Sequence, residues 1–173
     1  IYQDEFGIIW IGTKDGLNRY NGTDFYIFRP VENDKHSLYN NNIGTICGDK
    51  DGHIYIRCKY AVVEYDIKKN IFHTIRDNNI QAISYGNSRL WACTRDSLFT
   101  YNRAEDKLEY YYHLEDVRLS CVTEDHEGNL YVGTMNNGLY MLDSNKKWLN
   151  YLPTKDITCI YEDSKKNIWV GTK

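Results

Sequence analysis

Four aspartates recur at one position of a repeated turn. Asp4, Asp49 and Asp125 each stand three residues before a glycine (Gly7, Gly52, Gly128), and Asp163 stands three before Lys166. Two carboxylates within roughly 5–10 Å of each other could work as an acid and a base on a glycosidic bond. These four fall one to a repeat, so symmetry spreads them apart, and each is expected to cap its own turn by accepting backbone N–H groups. The histidines His36, His53, His73, His113 and His126 show no i, i+4 pairing that would suggest a metal site. Cys47, Cys58, Cys93, Cys121 and Cys159 form no Cys-x-x-Cys pair. If Cys47 and Cys58 flank a hairpin turn at 49–52, Cys47 faces Ile54 and Cys58 faces Ile43, too far apart for a disulfide. All five are expected to be free, buried thiols. The tract Tyr110-Tyr111-Tyr112-His113 could stack on sugar rings and bond hydroxyls, although alternation along a strand would bury part of it.

No nucleophile elbow, phosphate loop or dinucleotide fingerprint occurs, so the chain presents no catalytic residue, no metal ligand and no cofactor motif. Asn21-Gly22-Thr23 matches a glycosylation acceptor, but Asn-Gly between two strand-like runs predicts a two-residue type I′ hairpin. A net charge of −3 over 173 residues gives no footprint for a phosphate backbone, so nucleic acid is not an expected partner. The pairs Lys68-Lys69, Lys146-Lys147 and Lys165-Lys166 read as solvated turns. No apolar run is long enough to span a membrane, so this segment is expected to make no membrane contact.

The elements that must position these residues are strands. Sixteen Tyr, five Phe and four Trp against two Pro favour β-structure, and short apolar runs broken by Gly, Asn and Asp imply an all-β chain. The runs repeat. Aromatic centres at Trp10, Tyr55, Trp91, Tyr131 and Trp169 mark a period of about 40 residues. Each unit reads as four strands: a run such as 42–47, 119–124 or 157–162; the "IWIGT" type; "LNRYN", "VVEYD", "LFTYN" or "LYMLD"; and "FYIFR", "IFHTI", "LEYYY" or "WLNYL". Successive apolar residues in Ile8-Ile9-Trp10-Ile11 require cover on both faces, as in stacked β-propeller blades and not in a sheet with one wet face. The units expected are 1–41, 42–78, 79–116, 117–155 and the start of a fifth at 156–173. Because Ile1 matches Ile160 and Trp10 matches Trp169, the ends duplicate each other. About four blades of a larger propeller are expected, with edges prone to self-association.

The strings "DEFGIIWIGTKDGLNRYNGTDFYIF" and "DHEGNLYVGTMNNGLYMLD" resemble the two-component regulator propeller repeat family. These repeats build the sensor regions of Bacteroides-type hybrid two-component histidine kinases. The resemblance implies a periplasmic sensor segment of a parent anchored in the inner membrane. It also implies a glycan-derived oligosaccharide as the signal, the parent's remaining blades as partners and a homodimer. It assigns no ligand-binding position. An interaction scaffold, or a propeller enzyme such as a polysaccharide lyase, is the alternative. Several positions depart from the pattern: Arg57-Cys58 for Gly-Thr, Ala61-Val62 for Gly-Leu, "SYGNSR" without the turn Asp, and Lys166 for Gly. The turn geometries there are open.

Overall fold

Strand follows strand from Tyr2 to Thr172. The computed structural model describes residues 1–76, 79–143 and 145–173, and among them no helix forms, hence none long and apolar enough to cross a membrane. The chain divides into two compact units, Ile1–Ile80 and Gln81–Lys173.

The first unit holds two four-stranded antiparallel sheets. One is β1 (Tyr2–Gln3), β2 (Ile9–Thr13), β3 (Gly16–Tyr20) and β4 (Phe25–Phe28); the other is β5 (Ile43–Gly48), β6 (His53–Cys58), β7 (Ala61–Asp66) and β8 (Ile71–Arg76). The second unit holds two more and a pair. These are β9 (Ala82–Gly86), β10 (Arg89–Cys93), β11 (Ser97–Asn102) and β12 (Lys107–His113); then β13 (Arg118–Glu124), β14 (Leu130–Met135), β15 (Leu139–Leu142) and β16 (Trp148–Tyr151); and β17 (Ile157–Glu162) with β18 (Ile168–Thr172). In every sheet the strands pair in chain order, the meander of a propeller blade. All six residues of β7 are buried, where a sheet with one wet face would alternate.

Aromatic side chains cement the sheets within each unit. In the first, Trp10 is 1% exposed and packs on Tyr65 (5.4 Å) and Phe28 (6.1 Å), with Phe72 4.6 Å from Tyr65. In the second, Trp91 is equally buried and meets Tyr111 edge-on at 4.8 Å, among Leu98, Leu119, Leu130 and Val132. At roughly 25 cal/mol per Å2, a ring burying some 150–250 Å2 contributes about 4–6 kcal/mol before entropy. Small residues permit the close approach: a Cβ on Gly12 would lie 2.5 Å from Ile43 Cγ2, and one on Gly133 would lie 2.5 Å from Cys121 Sγ.

The structure corrects three local expectations. Cys58 faces Ile43, but Cys47 faces Tyr55 and not Ile54, because β5 carries one extra residue between Ile43 and Ile46. The same bulge recurs between Leu119 and Cys121 and between Ile157 and Cys159, so it belongs to the repeat. Asn21-Gly22 is not a type I′ hairpin. Tyr20 pairs with Phe25, leaving four loop residues; Gly22 takes a positive φ (103°), and Asn21 Oδ1 accepts the N–H groups of Thr23 and Asp24. An Asx turn has outcompeted the tighter hairpin. Finally, the thiols are free, but only Cys58 and Cys93 are buried; Cys47 and Cys121 are half-buried, and Cys159 is exposed, on a strand paired with β18 alone. Burial pushes the Cys58 thiol up to about 12 and Cys121 to about 11.

Candidate functional site

The four turn aspartates act as caps. Asp4 Oδ1 accepts the N–H groups of Phe6 (3.0 Å) and Ile8 (2.9 Å); Asp49 those of Asp51 and His53; Asp125 those of Glu127 and Asn129; and Asp163 those of Lys165 and Asn167. The second oxygen does work the sequence did not reveal. Asp4 Oδ2 accepts the Trp10 indole N–H at 2.8 Å, and Asp163 Oδ2 accepts that of Trp169 at 2.8 Å. The same Asp thus closes the turn and satisfies the polar edge of the strand's central aromatic ring. The indole, then the Asn167 side chain and backbone, hold the Asp163 carboxyl down at about 2. A carboxylate so stabilised is a poor proton carrier. Lys166 keeps the turn despite replacing glycine: its φ of 70° falls beside those of Gly7 (80°), Gly52 (92°) and Gly128 (87°).

The third repeat solves the same problem differently. Its β9–β10 turn is Asn87-Ser88, both at positive φ (42° and 62°), the two-residue type I′ geometry. With no turn Asp, Trp91 donates its indole N–H to Glu124 Oε2 of the next sheet, at 2.7 Å. Glu162 likewise reaches back, accepting the His126 backbone N–H at 3.2 Å and pairing with the His126 ring. In the dipeptides Glu124-Asp125 and Glu162-Asp163 the Asp serves its own turn, while the Glu ties its sheet to the preceding one. That repeated pair of acids was the available signal.

The remaining titratable residues of interest gather at the opposite strand ends of the second unit. The β10–β11, β12–β13 and β14–β15 connections border an open hollow of about 560 Å3, lined by Arg95, Asp96, His113, Arg118, Asn136 and Asn137 among others. The connections are stapled by backbone bonds from Leu114 N–H to Asp96 O (3.0 Å) and Leu119 N–H to Arg95 O (2.7 Å), and by the Asp156 side chain, whose Oδ1 accepts the Asn136 N–H (2.7 Å). Ser97, His113 and Asp96 meet here, but not as a nucleophilic relay. Ser97 Oγ donates to Asp96 Oδ1 (2.8 Å), and both approach the same ring nitrogen of His113, Nδ1, at 3.3 and 3.9 Å. A relay needs the base and its orienting acid on opposite ring nitrogens. The hollow presents the Arg95 and Arg118 guanidiniums, the Asn136 and Asn137 amides and the His113 imidazole beside the Asp96 and Asp116 carboxylates.

The tyrosine tract is divided at an extra residue, Tyr111, since Phe99 pairs with Tyr110 and Leu98 with Tyr112. Tyr110 is 64% exposed, Tyr111 turns in against Trp91, and Tyr112 lies 5.2 Å from the Trp148 ring. Tyr111 borders a second cleft, of about 230 Å3, with Arg89, Glu124 and Lys146. Of the other histidines, His53 bonds Asp49 Oδ2 at 2.7 Å. Among the described residues no group of three His, Cys, Asp or Glu side chains is placed to hold a metal ion.

Residues 151–173 match the family described as "Two component regulator propeller". Over 38 residues, 22% of the chain, it is 45% identical to histidine kinase P4 of Formosa agariphila, of which those residues make up 3%. The extracellular domain of a hybrid two-component system from B. thetaiotaomicron superposes with a TM-score of 0.80 at 26% identity, covering 99% of this chain and 27% of that one. Virginiamycin B lyase from Staphylococcus aureus has a TM-score of 0.76 at 14% identity, covering 98% of this chain and 61% of that one, which shows a shared fold only. This chain therefore spans about a quarter of the bacterial extracellular domain it resembles. With its meandering four-stranded sheets the chain is a set of β-propeller blades, similar in its last repeat to the two-component regulator propeller family and in fold to the extracellular domain of a hybrid two-component system.

Proposed function

We propose that the chain is part of the extracytoplasmic sensor of a hybrid two-component histidine kinase, and that its signal is an oligosaccharide released from a glycan. The observation that carries this reading is the superposition of 99% of the chain on such an extracellular domain. In this reading the segment lies in the periplasm, its parent is anchored in the inner membrane, and the parent acts as a homodimer. The Arg95–Arg118 hollow is where the second unit would engage the ligand: its size falls within the range of small-ligand sites, and its donors suit hydroxyl oxygens. Binding would signal by favouring one arrangement of the sensor over another, through differential contacts alone. The segment itself acts by binding and not by catalysis.

Calorimetry of the chain against a panel of glycan fragments tests this. One oligosaccharide class should saturate, and Arg95→Gln with Arg118→Gln should weaken it roughly tenfold. No heat from any fragment, with capture of a protein partner, would favour a scaffold. Product appearing from a polysaccharide would replace the sensor reading with an enzyme.

A further inference from the structure

The extra residue in β12 turns two consecutive tyrosines, Tyr111 and Tyr112, toward the buried side of their sheet. A bulge re-aims the side chains beside it in this way. Tyr111 packs on Trp91, while Tyr112, opposite Leu98, meets Trp148 at 5.2 Å with the rings tilted by 43°. Trp148 in turn lies opposite Leu142, and Leu98 and Leu142 belong to one buried cluster. Opposed residues of paired strands share a face, so both rings stand at the rim of that cluster, on the edge strands β12 and β16 of their sheets. Tyr140 approaches Trp148 edge-on at 6.5 Å. With His113, Glu115 and Val117, the three rings line an open cleft of about 320 Å3.

Tyr112 is 41% exposed, and Tyr140 and Trp148 are half-buried. Each ring thus keeps apolar surface in water and carries a hydroxyl or an indole N–H at its edge. That combination fits a pyranose, whose axial C–H bonds form an apolar face for stacking and whose equatorial hydroxyls reach polar tips. Among the described lining residues Glu115 supplies the one carboxylate and no Lys or Arg is present, so an acidic sugar would be repelled and a neutral one would not. His113, Leu114 and Val117 also line the Arg95–Arg118 hollow, so cleft and hollow adjoin. We propose that the Tyr112–Tyr140–Trp148 cleft is a stacking subsite for one neutral pyranose residue of an oligosaccharide whose neighbouring residues occupy the hollow. This subsite deepens the sensor reading above, on which it rests, by naming a neutral sugar and a length beyond one residue.

Calorimetry on the chain with β-linked glucose, xylose, galactose and mannose tetrasaccharides, the matching monosaccharides and a galacturonate tetrasaccharide tests it. At least one neutral tetrasaccharide should bind about tenfold or more tightly than its monosaccharide and than the galacturonate, with no loss as salt rises from about 50 to about 200 mM. Tyr112→Ala and Trp148→Ala should each weaken that binding roughly threefold to tenfold, while Tyr112→Phe, which keeps the ring, stays within about twofold of the parent. The Trp148 indole N–H resonance, assigned by its loss in Trp148→Phe, should shift on titration. Tyr112→Ala, on the exposed edge strand, carries the test if Trp148→Ala does not fold. Indifference to the Tyr112 and Trp148 changes, with binding abolished by Arg95→Gln and Arg118→Gln, would overturn the stacking subsite and leave the sensor reading intact. Equal losses for Tyr112→Ala and Tyr112→Phe, or tighter binding of the galacturonate than of every neutral sugar, would also overturn the subsite alone. No binding of any oligosaccharide would overturn both.

Discussion

Glu124→Ala should be among the most damaging single changes in the second unit. Its side chain is 6% exposed and accepts the indole N–H of Trp91, itself 1% exposed, at 2.7 Å. A bond to a charged acceptor is worth about 1.5–3 kcal/mol, and the alanine would leave a buried N–H without that acceptor. The Arg89 guanidinium, 3.8 Å from the same carboxylate and half exposed, adds little. Urea unfolding followed by circular dichroism should give a loss of about 2–3 kcal/mol for Glu124→Ala. Glu124→Gln, which keeps an acceptor oxygen, should lose about 1 kcal/mol. In a Trp91→Phe background there is no N–H to satisfy, so Glu124→Ala should cost at least about 1 kcal/mol less than in the parent chain, a coupling that a double-mutant cycle isolates. A loss below about 0.5 kcal/mol, or equal losses for Ala and Gln, would refute the view that the carboxylate replaces the missing turn aspartate.

Three other outcomes follow from the same geometry. Lys166→Gly should stabilise the β17–β18 turn by about 1 kcal/mol in the same denaturation assay, because a lysine at φ 70° bears a penalty that glycine does not. Gly133→Ala should cost about 1–3 kcal/mol by overpacking, since the new Cβ would meet Cys121 Sγ at 2.5 Å and Ile157 Cγ2 at 2.7 Å. Asp163, held at about 2 against an unfolded value near 3.9, lends stability that is complete above roughly pH 4 and is lost as pH falls through about 2. The Trp169 indole N–H resonance should therefore move in that acid window, and Asp163→Asn should abolish the movement.

The architecture was legible from residues because its determinants are local. The aromatic centres from Trp10 to Trp169 announced the period, and the Asp-x-x-Gly spacing announced the turns. The unbroken apolar runs showed that strands must be covered on both faces, and each feature depends on side chains a few residues apart. The same logic reached the burial of part of the tyrosine tract, but not the extra residue at Tyr111 that divides it. It failed where two local solutions compete. Asn21-Gly22 can close a type I′ hairpin or an Asx turn, and the side-chain bonds of Asn21 favour the latter. Asn87-Ser88, without a glycine, takes the tighter form.

By itself, then, the order of residues determined the all-β class, the four-stranded repeat and the capping role of Asp4, Asp49, Asp125 and Asp163. Tertiary structure decided the extra residue in β5 that sets Cys47 against Tyr55, the choice of Glu124 as acceptor for Trp91, and the loops that set Arg95 and Arg118 around one hollow. The physical reason is range. A turn is selected by bonds within four or five residues, whereas a bulge, a tie between sheets or a hollow between loops exists only once sheets have packed face to face and each buried polar group has found its partner.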